Sequence, residues 1–273
     1  MKYLVLTILL FSTAAQAQEL FTFTEPASNM AAKSIGIRLN SSFGSDIKKA
    51  TRYLLNPEVM VGISRTIMVH ANTYFSNNPK SSSSSESFTY NGAGLYLKYR
   101  FFSQDEVHSH FRIAAFVEVA SSNVLIEQPA ISLNGNSTGY EAGLVATKLI
   151  NKVAMSASAA YIRAYNNQDN KFPYGRDSRS AFDYTLSLGK LMLPKEYTSY
   201  NQTNINLMVE LLGQYNPALN VGYIDMAPSV QMILQSRMRV DAGYRFPLSD
   251  NLFRTNPRGF LIRFEYNIFN AYR

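Results

Sequence analysis

The chain has 273 residues, contains neither Cys nor Trp, and carries a formal net charge of +7. The missing thiols exclude disulfides, thiolate catalysis and thiol-ligated zinc or iron–sulfur sites, so hydrogen bonding and burial must hold the fold. Slightly negative mean hydropathy beside 18 Tyr and 17 Phe means that aromatic and polar residues lie close together along the chain, as in a barrel with a lipid face and a wet face.

At the start, Lys2, the apolar run Tyr3 to Phe11 and the small-x-small site Ala15-Gln16-Ala17 read as a signal peptide over residues 1–17, with the mature chain beginning near Gln18. A single membrane anchor is the alternative, but the run is about half of the ~20 apolar residues a spanning helix needs. The positive charge alone is compatible with nucleic acid, anionic lipid or acidic solutes; export argues against nucleic acid. Residues 18–32 precede the first strand and read as a periplasmic segment or a plug folded into a lumen, ahead of a barrel over residues 33–273.

Period-two alternation then marks twelve candidate strands in chain order. Ile35, Ile37 and Leu39 oppose Arg38 and Asn40; Val59, Val61 and Ile63 follow with Glu58 on the other face. Ile67, Val69, Ala71 and Phe75 oppose His70 and Asn72, and Ala93, Leu95, Leu97, Tyr99 and Phe101 oppose Tyr96, Lys98 and Arg100. Phe111, Ile113, Ala115, Val117 and Val119 oppose Arg112 and Glu118. Weaker segments run from Tyr140 to Leu149, with Glu141 inward, and from Val153 to Tyr165, rich in Ala and Ser. Phe182, Tyr184, Leu186 and Leu188 oppose Asp183, and Ile205, Leu207, Val209 and Leu211 oppose Glu210. After a segment from Met226 to Gln235, Met238, Val240, Ala242 and Tyr244 oppose Arg237, Arg239, Asp241 and Arg245. In the last segment Phe260, Ile262, Phe264, Tyr266 and Ile268 oppose Leu261, Arg263, Glu265 and Asn267. Pro57 and Pro228 each lack a ladder donor and are expected near strand ends or bulges.

Short links near Ser64-Arg65, Ser103 to Ser109, Asn151-Lys152, Pro194 to Asn201 and Ser236 alternate with longer ones at Gly44 to Ala50, Ser76 to Glu86, Ser122 to Thr138, Asn166 to Arg179, Gly213 to Gly222 and Leu248 to Arg258. The run Ser81 to Ser85 reads as a loop tip. An even number of strands, each near ten residues, with this alternation describes an all-β antiparallel up-and-down transmembrane barrel of the bacterial outer-membrane type. In lipid such a sheet must close on itself to leave no unpaired edge. A soluble β-sandwich would show the same alternation, but both charge signs mixed with Gly and Ser on the polar faces suit a lumen better.

The polar faces supply the expected pore lining: Arg38, Glu58, His70, Lys98, Arg100, Arg112, Glu118, Glu141, Asp183, Glu210, Arg237, Arg239, Asp241, Arg245, Arg263 and Glu265. Most should pair across the lumen and a minority should meet solute. Arg237, Arg239, Arg245 and Arg263 come from neighbouring C-terminal strands and only Asp241 and Glu265 offset them, so a positive strip favouring anions is expected.

The segments Leu55-Asn56-Pro57-Glu58-Val59-Met60-Val61-Gly62-Ile63-Ser64 and Pro228-Ser229-Val230-Gln231, with Arg239-Val240-Asp241-Ala242-Gly243-Tyr244-Arg245 after them, resemble outer-membrane transporters related to the meta-pathway phenol-degradation family over most of residues 33–269. The resemblance implies a barrel that passes or binds small hydrophobic or aromatic molecules without catalysis. The chain departs from the common ending by closing on Asn270-Ala271-Tyr272-Arg273 instead of a terminal Phe, so the barrel-assembly machinery would read Phe264, Tyr266 and Phe269.

An outer-membrane enzyme with a Ser or His site at the lipid boundary is the rival class. His108 and His110 fall beside a short turn with Asp105 and Glu106 and read as solvated, with no Gly-x-Ser-x-Gly elbow. His70 with Met68 and Met60 has soft-metal character, but these groups fix no coordination geometry and read as a lumen His beside core Met. No metal or cofactor is expected. The chain thus reads as a non-enzymatic outer-membrane pore or transporter for small solutes, hydrophobic and aromatic or anionic. A structural or ligand-binding barrel without flux and a lipid-boundary enzyme stay open beside it. Expected partners are outer-membrane lipid, the assembly machinery and the solutes, with no nucleic acid.

Overall fold

The computed structural model describes residues 21–45, 50–81, 87–106, 109–196 and 202–272; the signal-peptide segment and most of the serine run lie outside them. Twelve strands follow one another: β1 (Ser34–Ser45), β2 (Thr51–Gly62), β3 (Ile67–Ser76), β4 (Thr89–Glu106), β5 (Ser109–Ser122), β6 (Gly139–Ile150), β7 (Val153–Ala164), β8 (Ser180–Leu193), β9 (Asn204–Asn216), β10 (Val221–Leu234), β11 (Met238–Asp250) and β12 (Gly259–Ile268). Each pairs antiparallel with its sequence neighbours, and β1 pairs with β12 from Ile35 opposite Ile268 to Phe43 opposite Phe260, closing the barrel.

The alternation places the faces as their chemistry requires. On β12, Phe260 and Phe264 are 51% and 53% exposed on the outside, while Arg263 and Glu265 are 8% and 6% exposed within. Rings ladder around the long-loop rim, with Tyr244 against Phe260 at 4.5 Å, Phe43 against Phe260 at 5.5 Å and Tyr161 against Phe182 at 5.8 Å. Tyr99 with Phe101 and Phe102 with Phe111 mark the opposite rim. Such girdles sit at the two water–lipid boundaries. Ile262→Arg should therefore block assembly, since an Arg facing mid-bilayer lipid costs roughly 2–4 kcal/mol. Inward Arg263→Gln should still fold. Heat-modifiable migration on gels reads both, and the opposite order would invert the facing assignment.

The structure corrects two local expectations. Residues 213–222 form no long loop: β9 and β10 run on to a four-residue turn at 217–220, where Asn220 takes a φ of 52°. Pro57 and Pro228 lie in mid-strand. The β2 ladder to β3 lapses between Leu55 and Glu58, and the β10 ladder to β11 between Met226 and Ser229, so each proline sits where a donor is dispensable on one side. A bulge between Arg100 and Phe102 lets both Phe101 and Phe102 reach the surface.

Two inserts occupy the lumen. Residues 21–32 rise into it from the short-turn end, and the β5–β6 loop, residues 123–138, folds down from the long-loop end.

Candidate functional site

The lower insert is held almost entirely by polar groups. Glu210, fully buried on β9, accepts the backbone N–H of Thr22 at 2.8 Å, of Phe23 at 2.9 Å and of Thr24 at 2.9 Å, and the Thr24 hydroxyl at 2.7 Å. One carboxylate thus satisfies three consecutive backbone donors through charge-assisted bonds. Arg239 and Arg263 donate to the Phe21 carbonyl. Lys98, fully buried on β4, donates to the carbonyls of Pro26 at 2.7 Å and Ser28 at 2.8 Å. Ala27 N–H donates to Thr147 Oγ1 at 2.9 Å. Gly62 lets the segment pass flush against β2, because a Cβ there would stand 2.1 Å from the Ala31 carbonyl oxygen.

The upper insert combines an apolar seat with polar latches. Ile126, Ile131 and Leu133 are buried against Tyr74, Ile162 and Phe172. Gly135, at φ 77°, brings the loop so close to Tyr74 that an added Cβ would lie 2.9 Å from the ring's own Cβ. The Gln214 side chain on β9 pairs with Ile131 as a strand would, accepting its N–H at 2.9 Å and donating to its carbonyl at 2.8 Å. Gln128 accepts from Thr255 N–H at 2.8 Å, tying the loop to the β11–β12 connection.

Between floor and roof lies a chamber of about 500 Å³. Thr22 to Glu25 border it below and Gln128 to Asn136 contribute above. Its electrostatics differ from wall to wall. Arg38, 5% exposed on β1, meets Glu25 at 2.5 Å, Glu265 at 2.9 Å and Glu58 at 3.3 Å. His70 Nδ1 lies 2.5 Å from Glu58 Oε1, and the ring stacks obliquely on Tyr96 at 4.9 Å. Toward the roof, Asp225 pairs with both Arg245 and Arg254, and the Arg254 guanidinium lies over the Tyr223 ring at 3.8 Å. Across the chamber, Glu118 on β5 stands directly opposite Glu141 on β6, and Asp183 on β8 takes a 2.7 Å bond from the Gln214 amide.

The sixteen residues expected to line the lumen separate into three groups. Arg38, Glu58, His70, Glu118, Glu141, Asp183, Arg245 and Arg263 border the chamber. Lys98, Glu210, Arg239, Asp241 and Glu265 point inward but are buried beneath the insert or among one another. Arg100, Arg112 and Arg237 fall at the short-turn end. Arg100 donates to the Arg65 carbonyl at 2.7 Å and Arg112 to Asp105 at 2.9 Å. Arg237 is corrected outright: it closes a tight turn through Gln235 and Ser236, both at positive φ, and its side chain is exposed. With Arg237 outside and Arg239 bound to Asp241 and Phe21, the expected positive strip is broken. His110 sits 2.8 Å from Asp105 at the same end.

Sequence reasoning missed Arg52, Arg254 and the inward loop. Arg52 shares parity with Glu58, but it lies ahead of Glu58 to Ile63, the part of β2 whose alternation is visible in the sequence. The loop carried a usable signal: Val124, Ile126, Ile131 and Leu133 are too apolar for a solvated connection.

No family model matches the chain, and no curated protein does. Among solved structures, the COG4313 outer membrane channel from Pseudomonas putida F1 is similar over 91% of this chain and 100% of that one, with 8% identity and a TM-score of 0.60. NanC porin is 11% identical, covering 85% of this chain and 97% of that one at a TM-score of 0.48. KdgM porin is 7% identical, covering 85% and 98% at 0.47. The chain therefore has the fold of an outer-membrane channel, a closed twelve-strand antiparallel barrel.

Proposed function

We propose that the barrel is an outer-membrane pore for small polar solutes, gated by displacement of residues 21–32. The observation that carries this reading is the chamber itself. A barrel serving only as scaffold can fill its interior with side chains, as eight-strand barrels do, whereas this one keeps about 500 Å³ between two inserts. The lower insert is the natural gate, because hydrogen bonds and ion pairs can be exchanged for water at small net cost, unlike the apolar seat of the upper loop. The motif resemblance to the phenol-degradation family favours aromatic solutes; the charged wall favours polar ones, and we give the wall more weight because it faces whatever enters.

Proteoliposomes test this directly. The Glu210→Gln variant replaces an acceptor of three backbone N–H groups by an amide whose NH2 opposes them, so the floor should loosen. Its vesicles should swell in ribose several-fold faster than those with the intact chain, and neither should swell in raffinose. Background rates in both would overturn the pore.

A further inference from the structure

We propose that the chamber binds an organic cation, a solute carrying two or more protonated amines, against the wall formed by β3, β5, β6 and β8. This names the solute class of the pore proposed above and rests on that reading for access to the chamber.

The two sides of the chamber are unequally compensated. On the basic side Arg38, Arg245, Arg254 and Arg263 already face carboxylates of this chain, Glu25, Glu58 and Glu265 for the first, Asp225 for the next two and Asp241 at 3.7 Å for the last; Arg52 faces Glu127 at 3.8 Å, and Arg258 lies exposed at the chamber's edge. An incoming anion would have to displace them. On the opposite side, Glu118 and Glu141 are in direct register and border the chamber together with Asp183, and none of the three has an ion-pair partner among the described residues. Like charges directly opposed across a strand pair are destabilising unless something lies between them.

A second observation points the same way. His70 is 2% exposed and borders the chamber, and its Nε2 has no partner. Because Glu58 accepts, Nδ1 of the imidazole carries a proton, and in the neutral ring Nε2 presents a lone pair. Asn72 Oδ1, also at the chamber, is unpartnered, and the fully buried Tyr74 hydroxyl stands beside Glu118 as a neutral donor. Apart from the Tyr74 hydroxyl, the unmatched atoms here, those of Asn72, Glu118, Glu141 and the neutral His70 ring, are acceptors. What this wall lacks is a cationic donor.

The spacing selects an extended cation over a metal ion. Among the described residues no three His, Asp or Glu side chains converge closely enough to hold a metal. Neighbouring strands stand ~4.8 Å apart, so the acidic groups of β5, β6 and β8 are rooted several strand spacings apart on a curved wall, and their inward side chains draw closer together than their backbones. A short chain of methylenes with an ammonium group at each end can lie along such a row, one ammonium between Glu118 and Glu141 and the other toward Asp183, each offering three donors.

Calorimetric titration of the refolded full mature chain with putrescine, and separately with glutarate, tests the site. Putrescine should bind saturably and glutarate should give no heat. Glu118→Gln with Glu141→Gln should weaken putrescine at least about tenfold, since two charge-assisted contacts are lost. Asp183→Asn alone should weaken it less; heat-modifiable migration verifies that each variant is folded. A carboxyl that stays unpaired in a low dielectric can instead take up a proton, and absence of putrescine binding to the intact chain would mean that it does. Unchanged affinity in the double variant, or preference for glutarate, would equally overturn the proposal. Ribose swelling without putrescine binding removes the amine site and leaves the pore. Putrescine binding without swelling in Glu210→Gln removes the pore and leaves the site.

Discussion

Deleting residues 21–32 should raise single-channel conductance in planar bilayers by about tenfold, as the lumen of a twelve-strand barrel becomes a continuous aqueous path on its periplasmic side. The barrel should stay folded. Closure rests on the β1–β12 ladder, which begins at Ile35 and owes nothing to the deleted segment. Lys98, Glu210 and Arg239 lose their backbone partners, but water enters with the vacancy and solvates them, so the penalty of orphaned buried charge does not arise. Lys98→Met in the full chain should act in the same direction more weakly, because it removes two of the anchoring bonds and leaves those to Glu210. A deletion chain that is folded but no more conductive than the intact one would mean that the upper loop alone closes the channel. Glu210→Gln swelling would then also be lost.

The strand number, the closure and the facing of nearly every side chain were legible because lipid imposes a strict rule: one face apolar, the other polar, every second residue. Phe260, Ile262 and Phe264 could not be read otherwise. Loop lengths were less legible, since a strand that extends past the bilayer into water, as β9 and β10 do, loses its apolar face and looks like loop. Arg237 shows the same effect from the other side. Its parity is inward, but parity carries no information about whether the lumen still exists at that height. The chamber was least legible of all. Its floor and roof come from segments without alternation, and Glu25 reaches Arg38 and Gln214 reaches Ile131 through contacts that no local pattern encodes. The aliphatic residues at 124, 126, 131 and 133 were the one local sign that the loop turns inward.

Arg38→Met should be the most destabilising single substitution of a lumen residue, costing roughly 3–5 kcal/mol, the range for removing one partner of a buried ion pair. Its guanidinium serves Glu25, Glu58 and Glu265 from three different parts of the chain: the lower insert, β2 and β12. Without it Glu25 keeps only Lys98 at 3.8 Å, Glu265 keeps Arg239 at 3.5 Å, and Glu58 keeps His70. These residual partners and water from the chamber pull the effect toward the lower end of the range. Arg38→Lys should recover less than half of the loss, because a single ammonium cannot span three carboxylates as a planar fork does. Adding Glu58→Gln to Arg38→Met should restore stability relative to the single variant, since it removes a charge that has become a liability. Urea midpoints followed by loss of heat-modifiable migration measure all three. A loss under about 1 kcal/mol for Arg38→Met would match an exposed surface pair, and would mean that the chamber is wide enough for these charges to behave as they do in water.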